Sequence, residues 1–345
     1  MAKVLITGGL GFIGSNLADR LLQEEHQVVI IDNRSRPGCE YNLAWLQERY
    51  PATQLQFFFT GLDDHEVLRA ASRDAELIFH LAAQVSVSGS VHDPYTDFQS
   101  NAAGTLHLLE AARRHARDPI FIYSSTNKVY GDLDSLATEE LPSRYRFTHL
   151  PYGVAETQPL DFGSPYGCSK GAGDQYVHDY ANTFGLRTIV MRQSCIYGSR
   201  QFGHEDQGWV SWFLVAGLLR HPIRIYGDGK QVRDILHIND LLDAYMLAIR
   251  EIDTTRGEVY NIGGGPGLTR SIWQEFKAHV KEHVHREVEA TYEPARIRDQ
   301  KVYISDIRKA EKDFGWKPKV RVEEGLDCTM EWIARNKAVF ERLYP

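Results

Sequence analysis

The chain has 345 residues, 43% of them hydrophobic and 25% charged, a composition that can bury a sizeable core and excludes a disordered chain. Its 39 Lys and Arg against 46 Asp and Glu leave a net charge of −7, which excludes the basic surface that duplex nucleic acid or an anionic membrane requires. The length suggests two domains or one large one, at about 150 residues per domain.

The first 130 residues alternate short apolar runs with amphipathic stretches. Residues 4–7, 28–32, 55–59, 77–81 and 120–124 read as buried strands, with helical patterns such as 17–22 and 105–114 between some of them. Such alternation predicts right-handed crossovers and an α/β fold, a Rossmann-type doubly wound parallel sheet. Gly8-Gly9-Leu10-Gly11-Phe12-Ile13-Gly14 follows the first predicted strand and opens the first helix. Glycines there let the backbone turn tightly and approach a pyrophosphate, whose charge suits a helix N-terminus. Asp32, eighteen residues beyond Gly14, ends the second strand. A carboxylate at that place accepts both ribose hydroxyls and repels a 2′-phosphate, so the spacing points to NAD. Arg34 and Arg36 nearby keep NADP as the alternative.

Tyr166-Gly167-Cys168-Ser169-Lys170 follows Pro165, a good helix opener, and Tyr and Lys at i and i+4 share one helical face. An ammonium beside a phenol favours the phenolate, so Lys170 is expected to lower a Tyr166 pKa whose free value is about 10. Such a tyrosine takes a hydroxyl proton while hydride leaves the same carbon for a nicotinamide. Ser124-Ser125-Thr126 places Thr126 at the carboxyl end of a strand, beside the ligand crevice of a doubly wound sheet. Beyond residue 195 the pattern loosens into glycine-rich turns, while 188–191 and 259–262 read as late strands returning to the sheet. The expected organisation is a nucleotide-binding domain of residues 1–195 and 235–262, interleaved with a smaller mixed α/β substrate domain of residues 196–234 and 263–345.

Other features read blandly. Gly263-Gly264-Gly265-Pro266-Gly267 lacks the Lys-Ser/Thr of a triphosphate loop and is expected to be a turn. His279, His283 and His285 read as a solvated helical face, with no metal site expected. Trp209, Trp212 and Phe213 are either core or pocket lining. Cys39, Cys168, Cys195 and Cys328 form no Cys-x-x-Cys pair, and the N-terminal residues lack a secretory signal, so a reducing, cytoplasmic setting is expected. The apolar run at 209–219 is too short to span a bilayer, and neither a membrane nor a nucleic-acid partner is expected.

At these residues the chain resembles the extended short-chain dehydrogenase/reductase family of nucleotide-sugar epimerases and dehydratases. The resemblance runs from about residue 4 to residue 318. It is carried by Gly8 to Gly14, Asp32, Gly61-Leu62-Asp63, His80-Leu81-Ala82-Ala83, Asn101, Ser124-Ser125-Thr126, Tyr166 with Lys170, and Arg233-Asp234. It implies a catalytic set of Thr126, Tyr166 and Lys170. It implies NAD held by Gly8, Gly11, Phe12, Ile13, Gly14, Asp32 and Asn33. Leu62 and Asp63 would lie at the adenine; Leu81, Ala82, Ala83, Gln84, Asn101, Ser124, Tyr166 and Lys170 complete the cofactor set. For the substrate it implies Gln84, Thr126, Asn127, Lys128, Gln193 and Gln207, with Arg233 and Arg296 at a diphosphate and Asp299 near the nucleoside ribose.

Within the family, Asn127-Lys128 stands where sugar 4,6-dehydratases carry Asp-Glu, the acid and base of water elimination, and lysine cannot repeat that pairing. Together with His80 to Val85, Gln201-Phe202, Asp206 to Val210, Gly229 to Asp234 and Asp299-Gln300, these residues resemble 2-epimerases of CDP-paratose and CDP-tyvelose. The implied reaction is hydride removal from C2 of a CDP-hexose, giving a 2-keto sugar, and hydride return to the opposite face. The alternatives are oxidation at C3 with proton exchange at C2, 4-epimerisation of a UDP- or GDP-sugar by the same set, and a non-catalytic NAD-binding scaffold. Cys195 departs from the many relatives that hold the substrate phosphate with asparagine there. The family also implies a homodimer or homotetramer, packed through helices near 97–116 and 166–184.

Overall fold

The computed structural model describes residues 1–296 and 298–345 and divides the chain into two compact units. The first comprises Met1–Thr126, Ser164–Arg192 and Tyr245–Tyr260; the second comprises Asn127–Gly163, Gln193–Ala244 and Asn261–Pro345. Residues 127–163, 193–195, 235–244 and 261–262, expected with the nucleotide-binding domain, group with the second unit. The cause is packing. Beyond Thr126 the chain enters a 3-10 turn, Asn127–Tyr130, whose Val129 and Tyr130 join Phe147, Val154, Val302 and Tyr303 in one apolar cluster. Strand Val232–His237 in turn pairs with Cys195–Tyr197 rather than with the large sheet.

The first unit is built on a seven-stranded sheet, to which strand Glu258–Ile262 contributes as an edge. Across it lie Leu55–Phe58, Gln27–Ile31, Lys3–Thr7, Leu77–His80, Ile120–Thr126, Arg187–Gln193 and Glu258–Ile262. The registers joining the first five of these are all parallel. Strand order reverses between Lys3–Thr7 and Leu77–His80, the switch point of a doubly wound sheet, as the apolar periodicity predicts. Val4, Leu5, Ile6, Ile78 and Phe79 are fully buried, as expected of parallel strands covered on both faces. Leu108, Leu109 and Ala112 of helix Gly104–His115 pack with Val177 and Tyr180 of helix Pro165–Phe184 over Phe121 and Tyr123.

In the second unit, Val232–His237 pairs antiparallel with Thr269–Ser271 and parallel with Val302–Tyr303. Helix Trp209–Leu219 is apolar on nearly every side because it is a core helix. It packs on Phe276 and Val280 and on Leu326, Met330 and Ile333 of helix Val322–Arg335. Trp209 and Phe213 belong to this core. The glycines after Ile262 form a turn tied to Asp234, whose buried carboxylate accepts the amides of Gly265 (3.0 Å) and Ser305 (3.1 Å) and the hydroxyl of Ser194. Among the described residues no helix is long and apolar enough to cross a membrane. His283 faces Asp327 at 2.9 Å, and His279 accepts from Arg270 at 3.2 Å.

Candidate active site

At the carboxyl end of strand Lys3–Thr7 the chain turns through Gly8, whose φ of +71° suits glycine. A Cβ there would lie 2.7 Å from the Ala82 amide nitrogen, so the turn can pack against the next strand end only without a side chain. A Cβ at Gly14 would meet Gly9 Cα at 2.6 Å. Gly11 differs: its Cβ would find only Gly8 O at 3.3 Å. A side chain at 11 would need the Gly8 carbonyl to give by only a few tenths of an ångström, and the space it would fill opens at the start of helix Phe12–Gln23. That helix has no side-chain cap and no acidic residue in its first turn, so its first amides remain available to an anion.

Asp32 follows strand Gln27–Ile31. Its two oxygens accept the amides of Leu10 (3.0 Å) and Arg34 (2.8 Å), which leaves each oxygen a further lone pair. Burial raises its pKa, and the two amides and Arg34 oppose that rise. Arg34 stacks over Phe59 at 4.5 Å and faces Glu40 at 3.5 Å. Asn33 turns inward on its own loop, accepting from the Ser35 amide. Asp63 is exposed, and the Leu62 carbonyl faces His107 Nδ1 at 2.9 Å.

His80 ends the fourth strand fully buried between Thr7 Oγ1 and Thr105 Oγ1, both 2.8 Å away. Burial, reinforced by the charge of Lys170, holds its pKa well below the usual histidine value, so it serves as a neutral prop. Leu81, Ala82, Ala83 and Gln84 follow it, half-buried. Asn101 fixes this segment from both sides, accepting the Gln84 amide (2.8 Å) and donating to the Gln84 carbonyl (3.0 Å). It lies in a π-helical turn, Gln99–Ala103, a distortion frequent at functional sites. The Gln84 side chain donates to the Ser86 carbonyl, and its Oε1 is buried without a hydrogen-bond partner among the described residues.

Ser164 caps helix Pro165–Phe184 by accepting the Gly167 amide at 3.0 Å, and this sets Tyr166 in the first turn. Tyr166 is brought together with Thr126 by a side-chain hydrogen bond, and Lys170 donates to the Ser124 carbonyl at 2.7 Å. The expectation that Lys170 lowers the phenol is corrected here. Burial pushes Tyr166 up to about 12, with the Thr126 hydrogen bond opposing and Asp97 reinforcing the rise. Burial also pulls Lys170 down to about 7, against Asp174 and Asp97. The i, i+4 spacing does put both residues on one face, but the ammonium extends to the strand carbonyl and lies 4.1 Å from the Tyr123 ring centre.

Sequence reasoning missed Asp174, Arg192 and Asp97. Arg192 donates to both oxygens of Asp174, at 2.9 and 2.8 Å, and both side chains are buried. Ser125 donates to the same carboxylate at 2.6 Å. Asp174 lies four residues past Lys170 on the same helical face, a spacing that could have found it.

The second unit gathers Lys128, Arg233 and Asp299 from three distant segments. Lys128 Nζ (3.1 Å) and Arg233 Nη2 (2.9 Å) both donate to Asp299 Oδ1, and these cations hold Asp299 far below the carboxylate range despite its burial. Lys128 is lowered by burial and by Arg233, with Asp299 opposing. Cys195 belongs to the same cluster, its thiol raised by burial and its sulfur accepting from Trp209 Nε1 at 3.4 Å. Arg296 stacks over Tyr226 at 4.2 Å and donates to the Glu205 carbonyl at 3.2 Å. Asn127 and Gln193 are buried, and Gln207 exchanges backbone hydrogen bonds with His204.

Residues 4–263 match the NAD dependent epimerase/dehydratase family. The chain is 41% identical to a CDP-paratose 2-epimerase of Salmonella typhi, over 96% of this chain and 99% of the relative. Among solved structures, a UDP-glucose 4-epimerase of Thermotoga maritima with UDP-glucose is similar at 32% identity and a TM-score of 0.81, covering 97% of this chain and 99% of that one. A dTDP-glucose 4,6-dehydratase of Streptomyces venezuelae with NAD bound is similar at 27% identity and a TM-score of 0.84, covering 99% of each chain. The chain belongs to the NAD dependent epimerase/dehydratase family.

Proposed function

We propose that this NAD-dependent nucleotide-sugar epimerase inverts C2 of a CDP-hexose of the paratose or tyvelose type through a 2-keto sugar. The observation that carries the reading is the likeness to the Salmonella typhi enzyme over nearly the whole of both chains. Asn127 and Lys128 support epimerisation over dehydration, because neither supplies a carboxyl acid–base pair.

The first unit fits NAD. The uncapped helix start and the space at Gly11 suit its pyrophosphate, with Gly8, Phe12, Ile13 and Gly14 shaping the loop. Asp32 and Asn33 would meet the ribose, Leu62 and Asp63 the adenine, and Leu81 to Gln84, Asn101 and Ser124 the remainder. When bound, NAD supplies the hydride acceptor and a positive ring charge that favours the Tyr166 phenolate. Tyr166 takes the proton of the C2 hydroxyl, Thr126 orients that hydroxyl, and Lys170 holds the strand end through the Ser124 carbonyl. Inversion then requires the 2-keto sugar to turn its opposite face before reduction, as Tyr166 gives the proton back.

In the second unit, two cations around one carboxylate leave an excess positive charge suited to a diphosphate. Arg233 and Lys128 would bind it, Arg296 would assist, and Asp299 would meet the nucleoside ribose. Gln193, Gln207 and Asn127 offer polar contacts to sugar and base, and the unpaired Gln84 Oε1 suits a substrate hydroxyl. Exposed Val91, Tyr95, Phe98, Tyr176 and Phe184 support a homodimer or homotetramer packed through the helices that carry them. The free cysteines accord with a cytoplasmic setting.

Proton NMR of the purified protein with CDP-paratose and CDP-glucose in deuterated water, without added cofactor, tests the reading. Conversion to the 2-epimer without deuterium at C2 supports direct hydride return. Deuterium at C2 would replace it with enolisation beside a C3 ketone. Turnover of a UDP- or GDP-sugar alone would replace it with 4-epimerisation by the same catalytic set.

A further inference from the structure

Asp97, in the short helix Pro94–Phe98, is 1% exposed, yet nothing in the reaction just described uses it. Its Oδ1 accepts from Asn101 Nδ2 at 3.1 Å, and the same amide nitrogen donates to Ser169 Oγ at 3.0 Å. Ser169 lies between Tyr166 and Lys170 in sequence, and its hydroxyl reaches both the Tyr166 carbonyl and the Asp97 carboxyl. Asp97 Oδ2 is buried without a hydrogen-bond partner among the described residues. A carboxylate so placed is costly unless its charge is matched nearby. The cation available is Lys170.

We propose that Asp97 is a positioning residue for the reaction: its carboxylate holds the turn carrying Tyr166 and Lys170 through Asn101 and Ser169, and it supplies a fixed negative charge to both side chains.

The other groups around this pair are already committed. Asp174, one turn along the same helix, is bound bidentately by Arg192. His80, from strand Leu77–His80, is neutral and held between two threonines. Strand Ile120–Thr126 offers Lys170 the ring face of Tyr123 and the Ser124 carbonyl and offers Tyr166 the Thr126 hydroxyl; Tyr123 also lies within electrostatic reach of Tyr166 and Asp97, but its own phenol is held protonated by burial. Asp97 is the carboxylate that acts on both Tyr166 and Lys170, and it raises both pKa values. Removing its charge therefore lowers both. The phenolate forms at lower pH, and the ammonium is also lost at lower pH.

The inference rests on Tyr166 and Lys170 being the catalytic pair, so the experiment carries Tyr166→Phe alongside. The pH profile of kcat with CDP-paratose is measured for the unaltered enzyme, Asp97→Asn and Asp97→Glu. Asp97→Asn should move both limbs of the profile to lower pH by about one unit, the scale of a nearby buried charge. Asp97→Glu keeps the charge and should lower kcat with the limbs in place. A merely structural role would lower kcat in both variants and move neither limb, which overturns the proposal. If Asp97→Asn does not fold, Asp97→Ser, which also removes the charge and keeps a short polar group beside Asn101, takes its place: limbs moved to lower pH support the proposal, and unmoved limbs overturn it. Full turnover by Tyr166→Phe would instead overturn the catalytic assignment itself.

Discussion

The two units build charged sites in opposite ways. In the first, one buried lysine is balanced by Asp97 and by an Asp174 already spoken for by Arg192, and both Lys170 and Tyr166 are displaced toward their neutral forms. Lys170 falls to about 7 and Tyr166 rises to about 12. In the second, Lys128 and Arg233 share one oxygen of Asp299, and the carboxylate is held firmly ionised. A site near neutrality changes protonation at small cost; a site with surplus fixed charge holds an anion and does not titrate with it. The first arrangement suits acid–base work and the second suits holding a diphosphate.

That contrast breaks most sharply at Tyr166. Tyr166→Phe keeps the ring and its burial and removes the hydroxyl proposed to take the proton, so kcat should fall by about 10²- to 10⁴-fold, the usual worth of a positioned acid–base group, with KM little changed. Steady-state kinetics against a thermal melt checks it. Loss in KM alone would place Tyr166 in binding instead. Arg233→Ala should do the reverse. It leaves Lys128 and Asp299 as a neutral pair, and KM should rise by about 10- to 100-fold with a smaller effect on kcat, as expected of a lost charge-assisted contact to a phosphate. A pure kcat loss would erase the distinction between the two sites.

The glycine loop sharpens the same division between what the fold needs and what a ligand needs. Gly8→Ala forces a Cβ to 2.7 Å from the Ala82 nitrogen at positive φ and should destabilise the first unit by about 1–3 kcal/mol. Gly11→Ala meets only a 3.3 Å contact; it should melt within about 0.5 kcal/mol of the unaltered protein yet release NAD more readily. Calorimetry with and without NAD separates the two. A Gly11→Ala protein that holds NAD unchanged would remove the pyrophosphate from that position.

How far the sequence revealed these features follows from how each is made. The parallel strands were legible because burial on both faces leaves continuous apolar runs, and the loop because one turn needs its glycines within seven residues. Tyr166 and Lys170 were legible as a pair four residues apart, but their electrostatics were not. The phenol's state depends on burial and on Asp97, sixty-nine positions earlier. Lys128, Arg233 and Asp299 could be named only by resemblance, since no local period joins three side chains more than sixty residues apart. Residues 127–163 group with the second unit because their apolar partners, Val302 and Tyr303, lie far along the chain, where no local pattern reaches.

The smallest expected effect concerns protons outside both sites. Each unit buries a neutral histidine: His80 in the first, with both ring nitrogens engaged, and His237 in the second, with Nε2 buried and unpartnered among the described residues. Burial lowers His237 to about 4 from an ordinary 6.5. A folded-state pKa below the unfolded one means that the unfolded chain binds the proton first. The stabilisation is therefore whole above pH 6.5 and drains as the pH falls from 6.5 toward 4, by on the order of 2 kcal/mol at pH 5. His237→Phe keeps a ring against Tyr197, 5.6 Å away between centroids, and removes the titration. Its stability should fall less between pH 7 and pH 5 than that of the unaltered protein, leaving the part of the slope that belongs to the other titrating groups, His80 and His279 among them. Chemical denaturation at the two pH values measures the difference. Identical slopes would mean that His237 titrates in the fold as it does in the unfolded chain, and that its burial contributes nothing to acid sensitivity.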